Sequence, residues 1–156
     1  MSQLLEYRAK LIDRLELTVD DFRKACLAVS DPFKPVEDDG WNTHQLAAHT
    51  RDVDKVYSLR ARRTAEEDDP VFQNFDADEW IAAHYNADEP LASVLDGLIA
   101  SVKEAASMLR GLPPEAWSRE SRHEIYGGAP SFPAAPAPAR PPCSTRSPPS
   151  SRTRSA

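Results

Sequence analysis

The length and charge of the chain limit the classes of protein to which it can belong. The chain has 156 residues, enough for one domain with a tail. All 25 acidic residues precede residue 129, together with 15 of the 19 basic residues, so this part carries a formal charge of −10. An acidic domain lacks the basic face of a nucleic-acid binder. No apolar run approaches the ~20 residues of a membrane span. The sequence therefore excludes nucleic acid and membrane as partners.

The cysteines and the N-terminal segment favour a cytoplasmic protein. Cys26 falls on the apolar face of the first predicted helix, whereas Cys143 lies close to the end of the chain, so no disulfide is predicted. We expect Cys26 to pack in the core as a small apolar side chain. The first ten residues carry charges and contain no apolar segment typical of a signal peptide.

Two long amphipathic helices are predicted in the first half of the chain. The first covers about residues 2–29, and the second begins after Asn42, which forms a capping-box pattern with Gln45. Steps of three, four and seven residues assign the apolar faces. They comprise Leu4, Leu11, Leu15, Phe22, Cys26 and Val29 on the first helix, and Leu46, His49, Val53, Val56 and Arg60 on the second.

The rest of residues 1–128 predicts two more helices and no strand. A short helix follows Asp76, and a long one starts at Pro90 and ends at Arg110-Gly111. No segment alternates apolar and polar residues as a half-buried strand does. The fold predicted is an all-α, up-and-down four-helix bundle over residues 1–128 whose last helix is missing or replaced by a proline-rich tail.

Residues 129–156 form a second region of different composition. Eight of these 28 residues are proline, and none is Asp, Glu, Ile, Leu or Val. Such a segment predicts disorder, not a helix. Two explanations remain open: a genuine proline-rich tail that can bind an aromatic groove as polyproline II, or translation in a shifted reading frame. A genuine tail would leave the apolar helix faces uncovered, which predicts a weakly stable monomer or a homodimer.

His49 is the main candidate for a functional residue, as a metal ligand. An imidazole on the apolar face of a helix must hydrogen-bond a neighbour or coordinate a metal, and the sequence leaves both readings open. Asp52 either orients the His49 ring or is a solvated charge. His44, about 140° around the helix from His49, is predicted to face solvent. His84 and His123 are weaker candidates, and no catalytic or cofactor-binding residue is assigned.

The order of segments resembles the DinB-like superfamily, in the branch of the YfiT-like thiol-transferase relatives. The segment GWNTHQLAAHTRDVDKVY is similar to the second helix of these proteins, where a tryptophan opens the helix and a histidine seven or eight residues later binds a metal. Here the two residues are Trp41 and His49. The stretch from EEDDP to EAW and the Gly-Gly turn after RHEIY continue the resemblance, which covers about residues 4–132.

This resemblance implies a four-helix bundle with a divalent metal, Zn, Ni or Fe, held by about three histidines. One comes from the second helix, and an HxxxH pair on the last helix supplies the others. The implied activity is that of a thiol-dependent S-transferase or isomerase, or of a hydrolase, with a low-molecular-weight thiol or an electrophile as its small-molecule partner. The sequence after Gly128 contains no histidine, so only His49 carries over and activity is expected to be impaired. The alternative is a non-catalytic helical interaction module that dimerises through its bundle faces.

Overall fold

The computed structural model describes residues 2–37, 40–124 and 127–129, and predictions for residues 130–156 lie outside these ranges. The described chain is mainly helical, as the sequence predicts. Its helices are α1 (Ser2–Leu27), α2 (Thr43–Glu66), α3 (Ala77–His84) and α4 (Leu91–Gly111), followed by a 3₁₀ helix (Pro114–Ser118). Three short strands are β1 (Val71–Phe72), β2 (Ser121–His123) and β3 (Gly127–Ala129).

Helix α4 is the centre of the bundle. It packs along both α1 and α2, whereas α1 and α2 touch each other at few points. One core cluster joins all three long helices through Cys26, Ala47, Ala48, Val94 and Leu95, and a second joins α1 to α4 through Val19, Leu98 and Val102.

The predicted helix starts are confirmed by their hydrogen bonds. Asn42 caps α2 by accepting from the backbone N–H of Gln45, and the Gln45 side chain accepts from the backbone N–H of Asn42. Asp76 caps α3 by accepting from two backbone N–H groups of its first turn. Pro90 lies one residue before α4, at its N-cap. The side chains of Asn42 and Asp76 satisfy donors that would otherwise lack a partner at the helix end, whereas Pro90 makes no side-chain cap hydrogen bond.

The apolar face predicted for α1 is wrong in part. Cys26 is buried as predicted, but the other two core residues of this helix are Ile12 and Val19, which the predicted face omitted. Leu4, Leu11, Leu15 and Val29 are exposed. Residues 12, 19 and 26 recur at steps of seven and share one face, which is the face that packs against α4. Helix α1 also ends at Leu27, two residues earlier than predicted.

The small sheet was not predicted. Strand β1 pairs in parallel with β2, and β2 pairs antiparallel with β3. Strands of two or three residues are too short to show the alternation on which a sequence prediction depends. The sheet ties the connection after α2 to the segment after the 3₁₀ helix. No helix of the described ranges is long and apolar enough to cross a membrane.

Candidate functional site

His49 lies in the second turn of α2 and is half-buried. Its ring packs edge-on against Trp41, with ring centroids 4.7 Å apart and an interplanar angle of 64°. The Nδ1 atom is buried and has no hydrogen-bond partner among the described residues. A buried polar nitrogen normally has a partner, so Nδ1 is the atom of this histidine whose role needs an explanation.

The surroundings of His49 favour its neutral form. Burial lowers the pKa of His49, and the nearby carboxylates of Asp52 and Asp78 raise it by a smaller amount. The result is a pKa below the usual value for histidine. A neutral imidazole keeps a lone pair, which is the form that accepts a hydrogen bond or binds a metal.

Asp52 plays neither of the roles considered from sequence. One carboxylate oxygen accepts from Arg51 Nε at 2.8 Å, and the other accepts from Trp80 Nε1 at 3.1 Å. Burial opposes ionisation of Asp52, but these two hydrogen bonds together with the charges of Arg51 and Lys55 outweigh it, so the pKa of Asp52 lies below its usual value. Asp52 therefore anchors α3 to α2 through Trp80. It influences His49 through its charge and not by a hydrogen bond.

The prediction that His44 faces solvent is wrong. Its side chain is fully buried and stacks on Phe33 at a centroid distance of 4.9 Å. His44 Nε2 donates to the backbone carbonyl of Glu89 at 2.7 Å, and Nδ1 shares a hydrogen bond with the Tyr85 hydroxyl at 2.9 Å. The loop between α3 and α4 folds over the first turn of α2 and buries His44, which was predicted to face solvent. Sequence spacing alone gave no signal of that contact.

The other two histidines do not join His49. His84 is exposed; its Nδ1 donates to the Trp80 carbonyl at 3.0 Å, and its ring stacks on Trp80 at 3.9 Å. His123 lies in β2, in the small sheet. Within residues 2–37, 40–124 and 127–129, no group of three or more His, Cys, Asp or Glu side chains could hold a metal ion. Among the residues that the structure describes, His49 therefore has no set of neighbouring donors of the size that a divalent site needs.

A cavity of about 370 Å³ lies further along α2. Its lining includes Val56, two helical turns after His49, and Phe72 of β1. Arg60 and Arg63 place their guanidinium groups 5.5 Å and 5.2 Å from the Phe72 ring centroid. Both arginines are already bonded, since Arg60 donates to the Gln73 carbonyl and Arg63 forms a double hydrogen bond with Glu67. Both arginines that line this cavity are therefore engaged within the protein and do not point to an anionic ligand.

A family model identifies the superfamily of this chain. The family model of the DinB superfamily matches residues 14–137, which is more than half of the chain. The chain belongs to the DinB superfamily. No curated protein matches the sequence.

A solved structure supports the fold of this DinB-superfamily protein. YfiT from Bacillus subtilis is 22% identical and superimposes with a TM-score of 0.68, covering 77% of this chain and 70% of YfiT. That protein is described as a probable metal-dependent hydrolase with an unusual four-helix bundle topology. At this identity the likeness establishes the shared bundle fold but not a shared activity.

Proposed function

We propose that this chain is a DinB-superfamily protein of the metal-dependent type, in which His49 holds the ligand position of α2 and the metal centre is impaired. The observation that supports the proposal is the buried Nδ1 of His49, which has no hydrogen-bond partner among the described residues, in a half-buried ring whose pKa is lowered by burial. A lone pair in that state is suited to a metal ion. The description of YfiT as metal-dependent points to the same class of chemistry.

The impairment follows from the donors. One imidazole is too few for a divalent ion, which takes at least three protein ligands in zinc sites. The described residues add no group of donors around His49, and the sequence after Gly128 contains no histidine. The residues present therefore do not fit a complete metal centre of Zn, Ni or Fe.

Two sources support a proposal for the reaction class. The sequence resemblance favours a thiol-dependent S-transferase or isomerase, whereas the description of YfiT favours a hydrolase. Both classes use a small electrophile, and the transferase also needs a low-molecular-weight thiol. We place the transferase first, because the segments that carry the resemblance extend from α2 to the Gly-Gly turn.

Metal titration tests the role of His49. Zn²⁺, Ni²⁺ and, without oxygen, Fe²⁺ are titrated into the full chain by calorimetry, with metal retained after dialysis measured by mass spectrometry. We expect weak binding that His49→Ala abolishes and that the exposed control His84→Ala leaves intact. Binding that is equal in all three proteins would refute His49 as the ligand. One equivalent of metal that survives dialysis would refute the impairment.

The reading frame of the gene provides an independent test of why the donors are missing. The coding DNA is sequenced, and the alternative frames after Gly128 are translated. An alternative frame that encodes an apolar helix with an HxxxH pair would identify this chain as a frameshifted form of a metal enzyme. If no frame encodes such a helix, the missing ligands have no source in the gene, and the second candidate function replaces the metal function.

The second candidate is a non-catalytic helical interaction module. The observation that favours it is the set of exposed leucines on α1. Contiguous apolar surface of this kind marks interaction sites in soluble proteins. Analytical ultracentrifugation separates the two candidates, because the module requires self-association or a partner and the metal function does not.

A further inference from the structure

A continuous set of side-chain hydrogen bonds joins α2 to α3 and to the loop before α4. Arg51 donates from Nη1 to both carboxylate oxygens of Glu89, each at 2.9 Å, and from Nε to Asp52 Oδ1 at 2.8 Å. Trp80 of α3 donates from Nε1 to the other oxygen of Asp52 at 3.1 Å. These four residues are the Arg51 network. Arg51 is its centre, because its guanidinium group contacts both carboxylates.

The Arg51 network is largely removed from solvent. The side chains of Arg51 and Asp52 are 15% and 14% exposed, and that of Glu89 is 31% exposed. Gly97 of α4 packs against the same arginine, since a Cβ atom at this position would lie 3.3 Å from Arg51 Cδ. A buried ion pair adds little net stability, because the loss of water around both charges offsets their attraction. The network therefore fits a role in positioning its neighbours better than a role in stability alone.

The network lies on the side of α2 that carries His49. Asp52 follows His49 by three residues, so the two side chains share one face of the helix. Trp80 therefore places α3 against this face. Asp78, in the first turn of α3, is near enough for its charge to act on the pKa of His49. With Trp41 packed edge-on against the same ring, His49 lies beside both the start of α2 and helix α3.

The network holds the α3 segment at two points. Trp80 is bonded to α2 from within α3, and Glu89 is bonded to α2 from the loop that follows. The Glu89 backbone carbonyl also accepts from Nε2 of His44, so the loop has a second contact with α2. Loss of the hydrogen bond between Trp80 and Asp52 therefore releases α3 while the loop stays in place.

We propose that Arg51 is a positioning residue, which acts through Asp52 and Trp80 to hold α3 against His49 and so limits the access of ligands to the His49 ring. This inference deepens the proposed function and rests on it, because His49 is the ligand position of α2. With α3 held by the network, the His49 ring is half-buried. With α3 released, more of the ring is open to a metal ion or a small molecule.

Diethyl pyrocarbonate, which acylates accessible neutral imidazoles, tests the proposal on the full chain without metal. Fragmentation mass spectrometry follows the rate at each histidine, and N-acetylhistidine in the same reaction reports the activity of the reagent. Trp80→Phe keeps an aromatic ring but removes the Nε1 donor. We expect it to raise the rate at His49 by about threefold or more, because α3 opens locally. His44 is fully buried and should keep its wild-type rate, since its partners do not depend on Trp80.

Arg51→Met tests the centre of the network. Methionine keeps an unbranched apolar side chain but cannot donate to either carboxylate, so the rate at His49 should again rise by about threefold or more. Arg62→Met is the matched control. Arg62 lies farther along the same helix and bonds Glu104 of α4 at 2.7 Å, so it also joins α2 to α4 by an ion pair. Its loss should leave the rate at His49 unchanged.

The outcomes separate this inference from the proposed function. An unchanged rate at His49 in either folded variant would refute the positioning role of Arg51, as would an equal rise in Arg62→Met. Equal acceleration at His44 and His49 would also refute it, because the variants would then have lost stability in general. If far-UV circular dichroism shows that Trp80→Phe is unfolded, Arg51→Met decides alone. Metal binding that His49→Ala leaves unchanged would refute the proposed function, but not the contact of α3 that the acylation rates measure.

Discussion

Substitution of His44 by alanine tests whether the contact between α2 and the loop that joins α3 to α4 stabilises this end of the bundle. The side chain is fully buried and hydrogen-bonded at both ring nitrogens. Alanine removes two hydrogen bonds, each contributing about 1 kcal/mol, and leaves the Glu89 carbonyl and the Tyr85 hydroxyl without their partner. It also removes the ring that stacks on Phe33, which contributes about 1 kcal/mol more. We expect His44→Ala to lower the free energy of unfolding by roughly 3 kcal/mol.

Urea denaturation followed by circular dichroism at 222 nm measures this loss. Tyr85→Phe removes one of the two hydrogen bonds while the ring remains, so it should lower the free energy of unfolding by about 1 kcal/mol. His84→Ala is the control, because His84 is exposed, and a change within about 0.5 kcal/mol is expected. If His44→Ala is no more destabilising than His84→Ala, the contact is not a stabilising anchor and the reasoning from burial is wrong.

Three further predictions concern single groups. Asn42→Ala should lower the free energy of unfolding by about 1 kcal/mol, measured by urea denaturation, because the reciprocal cap of α2 is lost. Asp54 has a buried oxygen without a described partner, and burial raises its pKa while a hydrogen bond from Ser101 lowers it less. The native state then binds more protons than the unfolded state, so stability falls as pH rises from about 4 through the raised pKa. Asp54→Asn should be about 1 kcal/mol more stable at pH 7 in thermal melts, with the difference vanishing toward pH 4. In a Cys143→Ser background, burial that raises the pKa of Cys26 should make this thiol react with a disulfide reagent at least tenfold more slowly than in urea.

Local signals in the sequence were sufficient for the helices and their starts. Asn42 and Asp76 cap their helices as predicted because a cap depends on residues within one turn. The two core residues omitted from α1 show the limit of periodicity. Ile12 lies next to Leu11, both neighbouring faces are apolar, and only the position of α4 decides which one is buried. Helix period alone cannot make that choice.

The candidate site was predicted only in part, because some of its contacts join residues that are far apart in the sequence. The sequence selected His49 from its face on α2, but it misplaced His44, which depends on contacts with residues more than 40 positions away. The small sheet was missed because β1 pairs with a strand about 50 residues later in the chain. Contacts over such separations are set by the packing of the whole bundle and carry no local pattern.

The two histidines of α2 differ in what satisfies their ring nitrogens. Five residues apart, they point in directions about 140° apart. Tyr85 and Glu89 satisfy both nitrogens of His44, whereas Nδ1 of His49 has no hydrogen-bond partner among the described residues. A last helix that carries an HxxxH pair, encoded in another frame, would add the kind of donors that a divalent site at His49 needs. A chain restored in this way should therefore bind metal tightly, whereas the present chain should bind it weakly.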